Sequence, residues 1–217
     1  KTVDIHARHK KQNGGSGQFG DVWIKFGPGE DPGLTFTVSV VGGVVPKNFN
    51  PAVEKGLLEG MVKGVAGFPM TYLAADLHDG SYHPVDSDEM SFKTAAIMAY
   101  KQCLEQAAPV LMEPVGDLDI TVPEDLVGDV MGDLNKRRGR VLGMEATHGK
   151  KGYTNVQAEV PKAEMMDYTI SLRAMTQGRG SYDFTVDRYE EVPGAVAQKV
   201  IAEADKEADE ESDEDEE

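Results

Sequence analysis

Val3-Asp4-Ile5-His6-Ala7-Arg8 alternates apolar and polar residues, and that alternation predicts a half-buried strand over Thr2–His9. Val22-Trp23-Ile24-Lys25-Phe26 is rich in β-branched and aromatic residues and predicts a second strand over Asp21–Phe26. A Gly/Pro turn, Gly27–Gly33, then leads to a third strand, Leu34–Val41. Asn50 and Pro51 are expected to cap a helix with an apolar face of Val53, Leu57, Leu58, Met61 and Val62, ending near Gly64. Tyr72–Leu77 reads as a strand and His78–Val85 as a loop. Asp86 with Glu89 three residues on forms a capping-box pattern opening a long helix, whose apolar positions include Met90, Ala95, Met98, Cys103 and Leu104. That helix is expected to stop by Pro109, giving a βββαβα unit.

Past Glu113-Pro114 the pattern restarts as two similar halves. The strand Leu118–Val122 precedes a helix opened by Val122-Pro123-Glu124-Asp125 and closed at Arg137-Arg138-Gly139-Arg140, and the strand Val141–Thr147 follows. The strand Thr154–Val160 precedes a helix opened by Val160-Pro161-Lys162-Ala163 and closed at Gln177–Gly180, and the strand Tyr182–Val186 follows. In both helices Pro is expected at the first helical position. The order βαββαβ is that of a ferredoxin-like plait. A last amphipathic helix is expected over Ala195–Ala204. The chain is thus read as α+β, with domains at 1–112 and 113–190, a C-terminal helix at 191–206 and an acidic disordered tail at 207–217.

Composition narrows the function. The 217 residues have room for two ordinary domains, and 40% hydrophobic content supplies real cores. No apolar run approaches the ~20 residues a membrane span needs. Cys103 is the single cysteine, so no internal disulfide forms, as suits a reducing cytosol, and its helical setting reads as a buried, inert thiol. Of the net charge of -16, Glu203–Glu217 carries -10, with eleven acids and one Lys, which leaves -6 for the rest. A body of that sign opposes non-specific, phosphate-driven binding, so any RNA contact has to be local. The chain starts at Lys1 inside a strand pattern, without an initiator Met, and is expected to be an excised C-terminal portion of something longer.

Gly14-Gly15-Ser16-Gly17-Gln18-Phe19-Gly20 holds four glycines in seven positions. A phosphate-cradling loop needs a helix N-terminus directly behind such glycines, and a strand pattern follows instead. The five histidines are too scattered for a metal site, no Gly-x-Ser-x-Gly elbow with a matching triad is present, and neither a metal site nor a catalytic residue is expected. Asp86 and Asp88 are explained by the preference of helix N-termini for negative charge. What stands out is two loops: one offers Gln18 and Phe19, the other Asp79, Gly80, Ser81, Tyr82 and His83. RNA is read through shape, 2′-hydroxyls and stacking on aromatic or imidazole rings, which these residue types suit. The competing readings are core packing for Phe19, core packing or stacking for Tyr82, and an exposed turn residue before Pro84 for His83.

Five stretches in register resemble bacterial translation elongation factor G: Lys11–Gly20, Val41–Pro46, Asp79–Ser87, Gly132–Arg140 and Met175–Gly180. The resemblance runs from the N-terminus to about Pro193 and implies the family's fourth and fifth domains without its GTPase domain. It implies a fold similar to the second domain of ribosomal protein S5, followed by a ferredoxin-like domain. It further implies a cytoplasmic, non-membrane protein whose partners are the ribosome, transfer RNA and message. The tip, Gly14–Gly20 with Asp79–Val85, would touch the codon–anticodon duplex in the small-subunit decoding centre during translocation, with His83 nearest and Gln18 beside it. Arg137, Arg138 and Arg140 would contact large-subunit ribosomal RNA near the stalk base, their competing role being interaction with a helix C-terminus. No cofactor is expected in this chain, GTP and Mg²⁺ belonging to the absent N-terminal domain. Ser16 stands where the family usually has Arg, Asp21 where an acid is seldom found, and Pro84 where a polar residue is commoner. These departures make the chain similar to a second-copy, elongation factor G-like protein. A tetracycline-resistance-type ribosomal-protection factor and a small-molecule kinase are the alternatives.

Overall fold

A computed structural model describes residues 1–12, 15 and 17–214 and shows two units, Lys1–Val110 together with the chain from Ala195 on, and Leu111–Gly194. The expected order βββαβα appears in the first as β1 (Val3–Lys11), β2 (Gln18–Pro28), β3 (Leu34–Val38), α1 (Asn50–Gly60), β4 (Leu73–Ser81) and α2 (Glu89–Ala107). The sheet order is β1-β2-β4-β3. β1/β2 and β2/β4 run antiparallel, whereas β3 pairs with β4 in parallel, so α1 serves as the crossover. The alternation does its work on one face: Ile5, Ala7, Val22, Ile24, Phe26, Ala75 and Leu77 are buried with Val53, Leu57, Phe92, Ala96 and Tyr100 of the two helices. Cys103 is buried in this core and burial pushes its thiol up to about 11, as befits an inert group.

The second unit is β5 (Met112–Pro123), α3 (Val127–Lys136), β6 (Arg140–Ala146), β7 (Tyr153–Pro161), α4 (Tyr168–Thr176) and β8 (Ser181–Glu191). Its wholly antiparallel sheet has the order β6-β7-β5-β8, the plait that βαββαβ predicts. Leu118, Ile120, Val156, Val160, Val130, Leu134, Tyr168 and Leu172 form its core. Helix α5 spans Gly194–Glu214. None of the described helices is long and apolar enough to cross a membrane.

Several local expectations are corrected. β4 continues through Ser81, because Asp79, Gly80 and Ser81 pair with Trp23, Val22 and Asp21 of β2. α1 begins at Asn50 without a side-chain cap and ends at Gly60, leaving Leu58 and Val62 exposed. The N-cap of α2 is Asp88, whose carboxylate accepts the Ser91 N–H at 2.7 Å, and not Asp86. Pro123 and Pro161 close strands and precede single 3₁₀ turns, Glu124–Leu126 and Lys162–Met165, before α3 and α4 begin. The helical assignment of α5 passes Ala204 into the stretch expected to be a disordered tail; residues 215–217 lie outside the described residues.

Gly20 sets how closely β2 approaches α2. A Cβ there would sit 2.4 Å from the Ser91 carbonyl oxygen, so any side chain forces strand and helix apart. Gly20→Ala is expected to destabilise the first unit by about 1–3 kcal/mol. Urea unfolding followed by the fluorescence of Trp23, the chain's single tryptophan, reads the change; an unaltered midpoint would refute this packing role.

Candidate functional site

β1 and β2 form a hairpin with Lys11 opposite Gln18, so the glycine loop sits at one end of the first sheet. Because β4 is antiparallel to β2, with Ser81 opposite Asp21, the chain leaves β4 at that same end. The two candidate loops therefore meet. The Phe19 N–H donates to the Asp86 carbonyl at 2.8 Å, and Ser87 Oγ donates to the Phe19 carbonyl at 2.8 Å. The Gly17 N–H donates to Asp86 Oδ1 at 3.0 Å. The Phe19 and His83 rings lie 6.4 Å apart, centre to centre. Lys10, Lys11, Gln12, Gln18, Phe19, His83 and Asp86 line a cleft of about 160 Å³ between the loops.

The predicted tip residues fall into distinct environments. The His83 side chain is 53% exposed, and Tyr82, Asp79 and Gly15 are also exposed. Gln18 and Phe19 are half-buried: Gln18 Oε1 lies 2.8 Å from His9 Nε2, and the Arg8 guanidinium sits 5.9 Å from the centre of the Phe19 ring. Gly20 is buried against α2, so its lack of a side chain serves packing. Gly80 belongs to β4, and Ser81 Oγ points inward, donating to Asp21 Oδ2 at 2.5 Å. Gly14 and Ser16 lie outside the described residues. No helix follows the glycine loop, since β2 begins at Gln18, and the phosphate-cradle geometry behind the kinase alternative is absent there.

Beneath the tip, Asp21 is only 3% exposed and gathers three partners. His6 Nε2 lies 2.6 Å from its Oδ1, Arg8 Nε donates to Oδ1 at 3.1 Å, and Ser81 donates to Oδ2. Burial pushes this carboxyl up, but the hydrogen bonds from Arg8, Ser81 and His6 outweigh it and hold the group below the ordinary carboxylate value. The His6 ring in turn stacks on Trp23 at 4.5 Å.

The three arginines expected to meet ribosomal RNA, Arg137, Arg138 and Arg140, all make bonds within the second unit. Arg137 is 8% exposed; it donates to Asp133 at 2.7 Å, Asp167 at 2.6 Å, the Glu164 carbonyl at 2.5 Å and Ser171 at 2.8 Å, and its guanidinium covers the Tyr168 ring. Arg138 forks onto Glu113 at 2.6 and 2.9 Å and reaches Glu164 at 2.9 Å. Arg140 pairs with Glu159 yet keeps 63% of its side chain exposed. With its Nε, Nη1 and Nη2 all bonded inside the unit, Arg137 braces its own unit, and little of it is left exposed to a phosphate. The carboxylates that take these cations come from scattered positions, which is why the motif alone does not show them.

Lys10, Lys11 and Asp86 join the site although sequence reasoning does not single them out for it. The basic run His9-Lys10-Lys11 directly before the glycines is a readable signal. Asp86 is masked by its capping-box spacing.

Two family models cover the chain: elongation factor G, domain IV, over residues 1–108, and elongation factor G C-terminus over residues 110–200. The chain belongs to the elongation factor G family. A crystal structure of a protein from Thermus thermophilus is similar to it at 40% identity and a TM-score of 0.83, over 95% of this chain and 31% of that one. The chain thus spans about a third of that relative's length. As a family member it represents the C-terminal portion of an elongation factor of the G type.

Two outcomes follow from the charged groups. Because folding lowers the Asp21 pKa, its stabilisation is present above the unfolded carboxyl value of ~3.9 and fades as pH falls through the folded value. The stability gap between the native chain and Asp21→Asn is therefore expected to be largest at neutral pH and to narrow below about pH 4; a pH-independent gap in chemical denaturation contradicts this. Arg137→Ala is expected to cost the second unit roughly 2–3 kcal/mol. Hydrogen exchange at the amides of α3 and α4 measures that loss, and unchanged protection would overturn the bracing role.

Proposed function

We propose that this chain is the ribosome-binding C-terminal portion of a translational GTPase whose tip contacts the transfer RNA–message duplex in the small-subunit decoding centre during translocation. One observation carries the reading: the glycine loop and the His83 loop are hydrogen-bonded together at one end of one sheet, with His83 exposed between them. Lys10 and Lys11 line the same cleft and supply the local positive charge that an acidic body otherwise lacks. His83, Tyr82 and the Phe19 edge offer rings, and Gln18 an amide, to a duplex read by shape and 2′-hydroxyls. Gly15 and Gly17 belong to the same proposed contact, with Asp79 beside it, and the proposal extends to Gly14 and Ser16 by sequence alone.

The second unit is assigned to large-subunit ribosomal RNA near the stalk base. There Arg140 is the most exposed of the three arginines and the one suited to a phosphate. GTP and Mg²⁺ belong to an N-terminal GTPase domain of the parent, so this chain acts sterically and electrostatically, in the cytoplasm, with no catalytic residue of its own. The three departures from the family pattern support a second-copy factor. Asp21, the acid among them, is buried inside the unit, where Arg8 pairs with it and His6 and Ser81 are hydrogen-bonded to it.

His83→Ala in the intact factor is expected to slow translocation about tenfold, about 1.4 kcal/mol in the barrier, with little change in ribosome-stimulated GTP hydrolysis. Rapid-kinetic assays of both steps decide the matter; equal loss of both, or loss of neither, rejects the tip assignment.

A further inference from the structure

The connection between β4 and α2 carries Asp86 and Asp88, and only Asp88 caps the helix. Asp86 is therefore released from the role its spacing suggested. Its side chain is 25% exposed and faces both tip loops. Toward the glycine loop, its Oδ1 accepts the Gly17 N–H at 3.0 Å and its main-chain carbonyl accepts the Phe19 N–H at 2.8 Å. Toward the other loop, its Oδ2 lies 3.2 Å from His83 Nδ1, and its own N–H donates to that nitrogen at 3.3 Å. A Cβ at Gly17 would lie 2.7 Å from Asp86 Cγ, so the approach depends on glycine at that position.

We propose that Asp86 is the positioning residue of the tip, holding the glycine loop and the His83 ring in one arrangement so that both meet the RNA duplex together. The RNA clause rests on the function proposed above; the clamp itself does not. On the His83 side, the carboxylate and the main-chain N–H of Asp86 both face the same ring nitrogen. The N–H groups of Val85 and Asp86 point at Nδ1 from 3.4 and 3.3 Å, which suits a neutral ring carrying its proton on Nε2. An imidazolium would instead donate from Nδ1 to Asp86 Oδ2. In either state Nδ1 is occupied on the Asp86 side and an Nε2–H donor faces away from it. The His83 backbone is also tied to the glycine-loop strand, since its main-chain N–H donates to Ser87 Oγ at 2.8 Å while that hydroxyl donates to the Phe19 carbonyl. Asp86 therefore acts through His83 and the loop amides and need not touch RNA.

The experiment has two arms. In this chain, Asp86→Ala is expected to speed amide exchange at Gly17 at least tenfold and to broaden the His83 ring resonances, while the Ser91 amide, held by Asp88, is unchanged. Asp86→Asn keeps an acceptor for Gly17 and is expected to restore most of the protection. Unchanged Gly17 exchange in Asp86→Ala, with the core amides still protected, overturns the clamp. So does Asp86→Asn behaving no better than Asp86→Ala, and should Asp86→Ala fail to fold, the native chain still decides, since a Gly17 amide exchanging at its unprotected rate there overturns the clamp.

In the intact factor, Asp86→Ala is expected to slow translocation when His83 is present and to add little in a His83→Ala background. Full additivity overturns action through His83. If His83→Ala has no effect on translocation, the functional reading fails, yet the exchange arm still judges the clamp.

Discussion

The approach of β2 to the first turn of α2 is the constraint on which the first unit depends. Two backbones can come that close only where a side chain is missing, and Gly20 supplies the gap against the Ser91 carbonyl. Once the helix starts there, with Asp88 taking the Ser91 N–H, the residues just before it have nowhere to go but across the mouth of the β1–β2 hairpin. Ser87 and Asp86 then bond to Phe19 and Gly17 as a consequence of where the helix begins. The tip is thus an outcome of core packing and helix capping. Its loops owe their shape to rigid elements beneath them, as a binding surface that must not yield requires.

Much of this is legible in the chain. Period-2 alternation in β1 and the β-rich run in β2 mark a sheet with one buried face, and both element orders emerge from such patterns. The limits of the elements are harder to see, for a physical reason. Asp79 and Ser81 look like loop residues, but each extends β4 because a partner on β2 takes its backbone groups, and pairing leaves no mark on a single strand. Asp86 and Asp88 are both acceptable N-caps on composition. Only the position of the hairpin decides which one turns to the helix and which to the loop. For α5 the charge run reads as disorder, although its Glu and Ala residues are also good helix formers.

The glycines divide in a way that motif reading cannot separate. Gly20 lies buried against a helix, Gly17 sits under a carboxylate, and Gly15 is exposed at the turn. One composition serves three needs. A run of glycines in a loop therefore indicates close approach, without saying whether the neighbour is the protein's own backbone or another molecule.

Charge behaves similarly, since totals conceal who is paired with whom. A cation held within hydrogen-bond distance of a carboxylate presents a dipole to an incoming phosphate, and its field decays far faster than that of a lone charge. Arg137 and Arg138 are spent in this way, and their value lies in tying α3 to the β5 and α4 regions of their own unit. Arg8 is likewise drawn to Asp21. Among the described residues, Lys10 and Lys11 have no carboxylate within ion-pair distance, and both stand at the cleft between the tip loops. At physiological salt the screening length is ~8 Å, so acidic residues beyond that reach would do little to cancel two lysines that met a phosphate backbone directly. On the function proposed above, an acidic protein would in this way present a short, locally basic tip to RNA while its remaining surface discourages non-specific binding, and the contact would be confined to the place where shape can also be read.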